Sequence, residues 1–381
     1  MKKKIISALL CVSMVATMVA GCGGSSDTTS TDNSNSGAAA PATESGSDAA
    51  ETDTTGDEGK VFNIYCWNEE FKSRLTDHYP GYEEVDATTG KIGDVTVKWN
   101  ITPSDDNAYQ NNLDATLLKQ ESAAADDKID LFLVEADYAL KYVDTDYTMP
   151  IADLGITDAD LANQYQYTKD IVTDSNGVLK GVSWQGCPGV LFYNRDAAKE
   201  ILGTDDPDEV QKYVSDWDTF NDTAETMKAA GYKMTSSVND TYRVYSNNVT
   251  SKWVEDGKIN IDDNIMKWVD QTKKYTDKGY NNKSSLWDST WAADQGPSGK
   301  VFGFFYSTWG INFTLLGNSL ATPVKEGGKE EVGNGIYGDY AVCEGPQSYY
   351  WGGTWICAAA GTDNANLVKD VMKTLCCDKA T

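Results

Sequence analysis

One histidine, three arginines and eleven tryptophans bound what this 381-residue chain can do chemically. A Ser-His-Asp or Cys-His mechanism would have to use His78, which stands beside Tyr79-Pro80-Gly81 in an expected loop with nothing nearby to support it. Glu70, Glu135 and Asp137 supply carboxylates for a glycosidase pair, yet no pattern in the sequence sets their separation. No HExxH occurs, no spaced acidic calcium loop is complete, and no cysteines follow CxxC spacing, so no metal and no cofactor are expected. Arg74, Arg195 and Arg243 are too few for a ligand held mainly by bidentate anion clamps. The tryptophans carry more. Trp67, Trp309 and Trp351 sit beside chain breaks, where a core indole is not expected. Trp217, Trp253 and Trp268 fall at helical or hairpin positions that read as core, and Trp184 fits either role. Glu70 also has a plain reading, as a first-turn residue favoured by the helix dipole.

These side chains need elements to position them. Lys60–Asn68, Val95–Ile101 and Ile129–Val134 read as strands, with helices starting at Glu69, over Asn107–Ala125 and over Tyr138–Val143. Strands alternating with helices imply a mostly parallel α/β sheet. Gly177–Asp196 then gives two short strands broken at Gly186, Pro188 and Gly189, a path between layers. Helices follow at Asp196–Leu202, around Trp217–Met227 and over Ile265–Lys278, with a hairpin at Trp253–Ile261. Lys300–Tyr306 and Tyr337–Val342 read as strands. Trp351–Ala358 crosses Gly352-Gly353 into another, before a helix carrying Val368, Val371, Met372 and Leu375.

The ends and the charge give a setting. Lys2–Lys4 followed by the apolar Ile5–Ala20 predict a signal peptide over 1–21, too short for a spanning helix. Val19-Ala20-Gly21-Cys22 resembles a bacterial lipobox, which implies that Cys22 is lipidated and tethers the protein to a membrane. Residues 22–60 read as that cysteine plus a disordered linker with a span of roughly 30–37 Å. A net charge of −26 makes nucleic acid and anionic membrane surfaces poor partners. Cys66, Cys187, Cys343, Cys357, Cys376 and Cys377 are expected to be mostly free and buried, with Cys66–Cys357 or Cys187–Cys343 bridges left open.

Taken in order, these pieces resemble the extracellular solute-binding proteins of carbohydrate ABC transporters, the maltose-binding-protein-like group. The matching pieces are the lipobox and linker, Trp67-Asn68 after the first strand, and Ile129–Phe132 before an acidic tip. Gly181–Asp196 with its Tyr193-Asn194-Arg195-Asp196, Trp217–Phe220, Lys300–Trp309 and Gly352-Gly353 complete the set. The resemblance implies an α/β, two-lobe periplasmic-binding-protein-like fold with hinge crossovers and an interlobe cleft. Residues 61–187 plus 353–381 would form the N-terminal lobe and 188–352 the C-terminal lobe. The second lobe is expected to be incomplete, since family members continue past this point. Gly186, Gly189 and Gly352 would be hinge glycines.

The resemblance also implies a carbohydrate ligand, delivery to ABC permease subunits, a monomer, and a lipid-anchored place on the extracellular face. A sugar needs aromatic platforms for its C–H faces and planar carboxylates or amides for its hydroxyls. Strand ends and crossovers supply them. The implied ligand-binding residues are Trp67, Asn68, Glu70, Glu135, Asp137, Trp184, Gln185, Trp309, Trp351, Gly353 and Trp355. Trp287 and Trp291, in the polar loop Ser284–Gln295, would either line the cleft or cover the second lobe. A glycan-binding surface adhesin, a glycoside hydrolase and a receptor for another small polar solute are the alternatives.

Overall fold

The computed structural model describes residues 59–381. The expected signal peptide, Cys22 and nearly all of the linker lie outside the described residues. Among the described residues twelve strands are formed: β1 Val61–Cys66, β2 Tyr82–Glu84, β3 Thr89–Ile92, β4 Val95–Ile101, β5 Leu131–Glu135, β6 Val182–Ser183, β7 Gly189–Asn194, β8 Val254–Glu255, β9 Lys258–Ile259, β10 Gly303–Ser307, β11 Tyr340–Cys343 and β12 Thr354–Ala358. Seven make one sheet, ordered β2-β3-β4-β1-β5-β12-β6, and β10-β7-β11 make a second. The chain passes from the first sheet to the second between Ser183 and Gly189, and returns between Cys343 and Thr354.

The first sheet is less parallel than expected. β1 runs parallel to β4 and β5, but β12 is antiparallel to both β5 and β6, and β2-β3-β4 is an antiparallel meander. Burial explains the strand sequences. Leu131 and Leu133 of β5 pack on one face with Phe62, Ile64, Phe71 and Leu75, while Phe132 and Val134 pack on the other with Tyr109 and Tyr142. A strand covered on both faces reads as a continuous apolar run. β12 follows the same rule: Ile356 and Ala358 join the first cluster, and Trp355 and Cys357 the second. The second sheet has its own core around Leu191, Phe220, Phe304 and Tyr306.

Several local expectations change. The helix expected over Asn107–Ala125 spans only Ala108–Leu117. Beyond it Gln120 turns inward, and its amide both donates to the Ile129 carbonyl (2.7 Å) and accepts from the Ile129 N–H (2.9 Å). His78 closes the helix Glu70–His78 rather than lying in a loop. Trp253 is 52% exposed at the base of the β8–β9 hairpin instead of in the core, Trp268 is only partly buried, and Trp217 stacks on Tyr245 at the core margin. The six cysteines in the described residues are free thiols, so neither bridge forms. No helix of the described residues is long and apolar enough to cross a membrane.

Candidate functional site

The end of β1 builds one wall. Trp67 is held edge-on by Tyr109 and Tyr138, with ring centroids 5.5 and 6.3 Å away. Asn68 turns back to accept the Glu70 N–H (3.0 Å), which orients the first turn of the helix Glu70–His78. Glu70 then faces the crossover, where its Oε1 accepts from Gln185 Nε2 (2.7 Å), with Arg74 one turn later at 3.8 Å.

The end of β5 supplies Glu135. Its Oε2 accepts the Asp137 N–H (2.7 Å). Burial, and then the charge of Asp137, push its carboxyl up to about 7. Asp137 does not project into the cavity as a free acceptor, as was expected of it. Both of its oxygens are taken by Arg243 in a two-point ion pair, with Nη2–Oδ2 at 2.5 Å. Arg243 belongs to the helix Tyr242–Ser246, so the pair ties the tip of the first sheet to the second half of the chain.

The two crossovers run side by side. Gln185 Oε1 accepts the Thr354 N–H (2.9 Å), the Trp351 N–H donates to the Cys187 carbonyl (3.2 Å), and the Gly189 N–H donates to the Tyr349 carbonyl (2.8 Å). Tyr167 accepts the Cys187 N–H (2.7 Å) and stacks on Tyr350. Gly352 and Gly353 have φ of +75° and +116°, a region glycine enters without steric cost. Gly186 and Gly189, named with Gly352 as hinge glycines, have no such backbone. A Cβ at Gly189 would fall 2.3 Å from the Tyr349 ring, so that glycine answers a packing need.

The second sheet closes the site with aromatic rings. Trp309, after β10, donates Nε1–H to the Trp351 carbonyl (2.7 Å). A π-helical turn, Ile311–Leu315, then presents Asn312 and Phe313; such turns collect at functional sites. Trp287 stacks on Trp309 (6.0 Å, 26°) and meets Phe313 at 6.3 Å. Its φ of +73° is strained for a bulky residue, and it is 53% exposed. Trp351 lies nearly parallel to Tyr306 and beneath the Arg243 guanidinium; at 7% exposure it belongs to the core of the second sheet, against the expectation that a tryptophan at this break is not a core indole.

These walls enclose a cavity of about 690 Å³. Of the residues the sequence singled out, Trp67, Asn68, Glu70, Glu135, Gln185, Trp309, Trp351 and Gly353 line it. Trp184 does not. It stacks on Phe71 and lines an adjoining cavity of about 640 Å³ that shares Glu70, Arg74 and Gln185. Trp355 is excluded: it is 1% exposed on the far face of β12, and its Nε1–H donates to the Thr168 carbonyl. Trp287 takes the cleft-lining reading, whereas Trp291 is core, bonded to Asp240. Arg74, Thr308, Asn312 and Phe313 also line the cavity and were not anticipated. Among the described residues, no group of three or more His, Cys, Asp or Glu side chains is placed to hold a metal ion.

A model of the bacterial extracellular solute-binding protein family matches residues 84–381. The chain belongs to this family. No curated protein matches it. Among solved structures, this solute-binding protein is similar to an extracellular solute-binding protein of family 1, with a TM-score of 0.62 and 16% identity over 82% of this chain and 74% of that one. It is similar to the galacto-N-biose/lacto-N-biose I-binding protein of Bifidobacterium longum in complex with lacto-N-biose (TM-score 0.56, 15% identity, 84% and 75% covered). It is also similar to maltose-bound MalE3 of T. maritima (TM-score 0.53, 15% identity, 83% and 76% covered). At such identities the likeness is one of fold, the two-lobe α/β fold that was expected.

Proposed function

We propose that this solute-binding protein captures a sugar or oligosaccharide between the two sheets and delivers it to an ABC permease. The observation that carries the reading is the composition of the 690 Å³ cavity. One side offers Trp287, Trp309 and Phe313 as apolar surfaces; the other offers Glu70, Glu135 and Gln185 as planar hydrogen-bonding groups. That combination suits a ring with C–H faces and a belt of hydroxyls. Structures of the same fold carry lacto-N-biose, maltose and D-mannitol. On this reading residues 61–187 with 353–381 form one lobe, 188–352 the other, and the paired crossovers the hinge. Lipidation at Cys22 holds the receptor on the outer face of the membrane, and no reaction is catalysed.

Both oxygens of Asp137 are held by Arg243, which weighs against a part for it in hydrolysis, while Glu70 uses only its Oε1 internally. A thermal-shift screen with mono- and disaccharides tests the proposal, since a ligand that binds only the folded state raises Tm. A sugar-specific rise is expected. A rise with amino acids or polyamines and with no sugar overturns the carbohydrate reading, and time-dependent release of free sugar replaces it with a hydrolase.

A further inference from the structure

Both guanidinium groups near the cleft have a carboxylate partner within the protein. Arg74 pairs with Glu70. Arg243 is gripped at both nitrogens by Asp137 and lies over the Trp351 ring, 5.7 Å from its centroid. No lysine is among the residues lining the cavity, while Glu70 and Glu135 face it. A ligand carboxylate or phosphate placed here would meet the Glu70 carboxylate and would have to displace Asp137 to reach Arg243. Arg243 is not itself a lining residue, but it lies over Trp351, which is, and a released guanidinium would stand one ring away from the cavity.

We propose that Asp137 sets the charge specificity of the cleft: by holding Arg243 in a two-point ion pair it withholds the guanidinium that would clamp an acidic sugar, so the receptor takes uncharged sugars and rejects uronates and sugar phosphates. This rests on the sugar-receptor reading and adds the ligand's charge class. Asp137 acts through Arg243 and is a positioning residue. Removing it also loosens the link across the cleft, but that change acts on neutral and acidic ligands alike. The ratio between them isolates the charge effect.

The test is calorimetric titration of the full chain, at constant ionic strength, with matched pairs: galactose with galacturonate, and glucose with glucuronate. The unsubstituted protein is expected to bind the neutral member of a pair at least about tenfold more tightly, the worth of one charge-assisted hydrogen bond. Asp137→Asn should narrow that ratio by about tenfold or invert it, and Arg243→Met added to it should abolish the gain. Circular dichroism of each variant checks folding. Equal binding of both members by the unsubstituted protein overturns the inference. So does an Asp137→Asn variant that weakens both members equally. If no sugar of either kind binds while other solutes do, the receptor-for-sugar reading has failed and this inference goes with it.

Discussion

Replacing Glu135 with glutamine should make the protein more stable at pH 8 and raise its stability much less at pH 5. The Glu135 carboxyl sits at about 7 against an ordinary 4.5, chiefly because burial disfavours its charge. Below about 4.5 it is protonated in both the folded and unfolded chain, and contributes no pH dependence. Between 4.5 and 7 the folded chain holds the proton more tightly, so stability falls as pH rises. Above 7 the charged carboxylate is carried at full cost. At about 1.4 kcal/mol per pH unit the gap corresponds to about 3 kcal/mol, and access to cleft solvent brings the expected gain to about 1–3 kcal/mol. Glutamine keeps the acceptor for the Asp137 N–H and removes the charge. Asp130 and Asp240, also pushed up to about 6 by burial, tilt both proteins in the same direction, so the informative quantity is the difference between them. Urea unfolding at pH 5 and pH 8 measures it. A difference that is the same at both pH values, or a Glu135→Gln variant less stable at pH 8, refutes the reasoning.

Gly189→Val should cost about 2–4 kcal/mol in urea unfolding, because the side chain would overlap the Tyr349 ring, which the Tyr349 hydroxyl pins by hydrogen-bonding the Tyr306 and Val190 carbonyls. Trp287→Ala should weaken sugar binding by about ten- to a hundredfold in calorimetry with under about 1 kcal/mol loss of stability, since the ring is half exposed. Trp287→Gly should lose the same affinity yet be about 1 kcal/mol more stable than the alanine variant, because glycine relieves the positive φ. Gln185→Ala should cost about 1–3 kcal/mol by stranding the Thr354 N–H and freeing Glu70, and should weaken binding through the altered crossover.

The sequence made the crossovers legible because glycine and proline interrupt apolar runs there, and aromatic or amide residues at those breaks fell around one cavity. Trp355 shows the limit of that rule. It also follows a glycine pair, but it belongs to a five-residue strand buried on both faces, and strand alternation sends it away from the cleft. The continuous run Thr354–Ala358 carried the signal for a doubly covered strand. Asp137 could not be placed, because its partner lies 106 residues away and nothing local encodes the pairing. Trp287 was half legible: its loop was noticed, but the backbone strain and its stack on Trp309 arise only in the fold. The π-helical turn that brings Asn312 and Phe313 to the cavity has no sequence period to betray it. The β2–β3 meander was missed because Tyr82-Glu83-Glu84 is too short and too polar to read as a strand.

The bonds that tie the two sheets together bear on how a receptor of this kind would work. Both walls of the cavity lean on two crossover segments joined by a few hydrogen bonds near Cys187, Gly189 and Thr354. Farther out, the side-chain ion pair across the cleft is Asp137–Arg243, with the Asp137 side chain 51% exposed and the Arg243 side chain 24% exposed. Exposed pairs contribute only about 0.2–1 kcal/mol, somewhat more with two-point geometry. A single two-point pair of this kind biases the closed arrangement without locking it. A ligand touching both Glu70 on one side and Trp309 on the other adds interactions that exist only when the sheets are together. A differential affinity of a few kcal/mol is then enough to move the population decisively toward the closed form. On the proposed function, a clasp much stronger than this would hold the empty protein shut and leave a permease no difference to read.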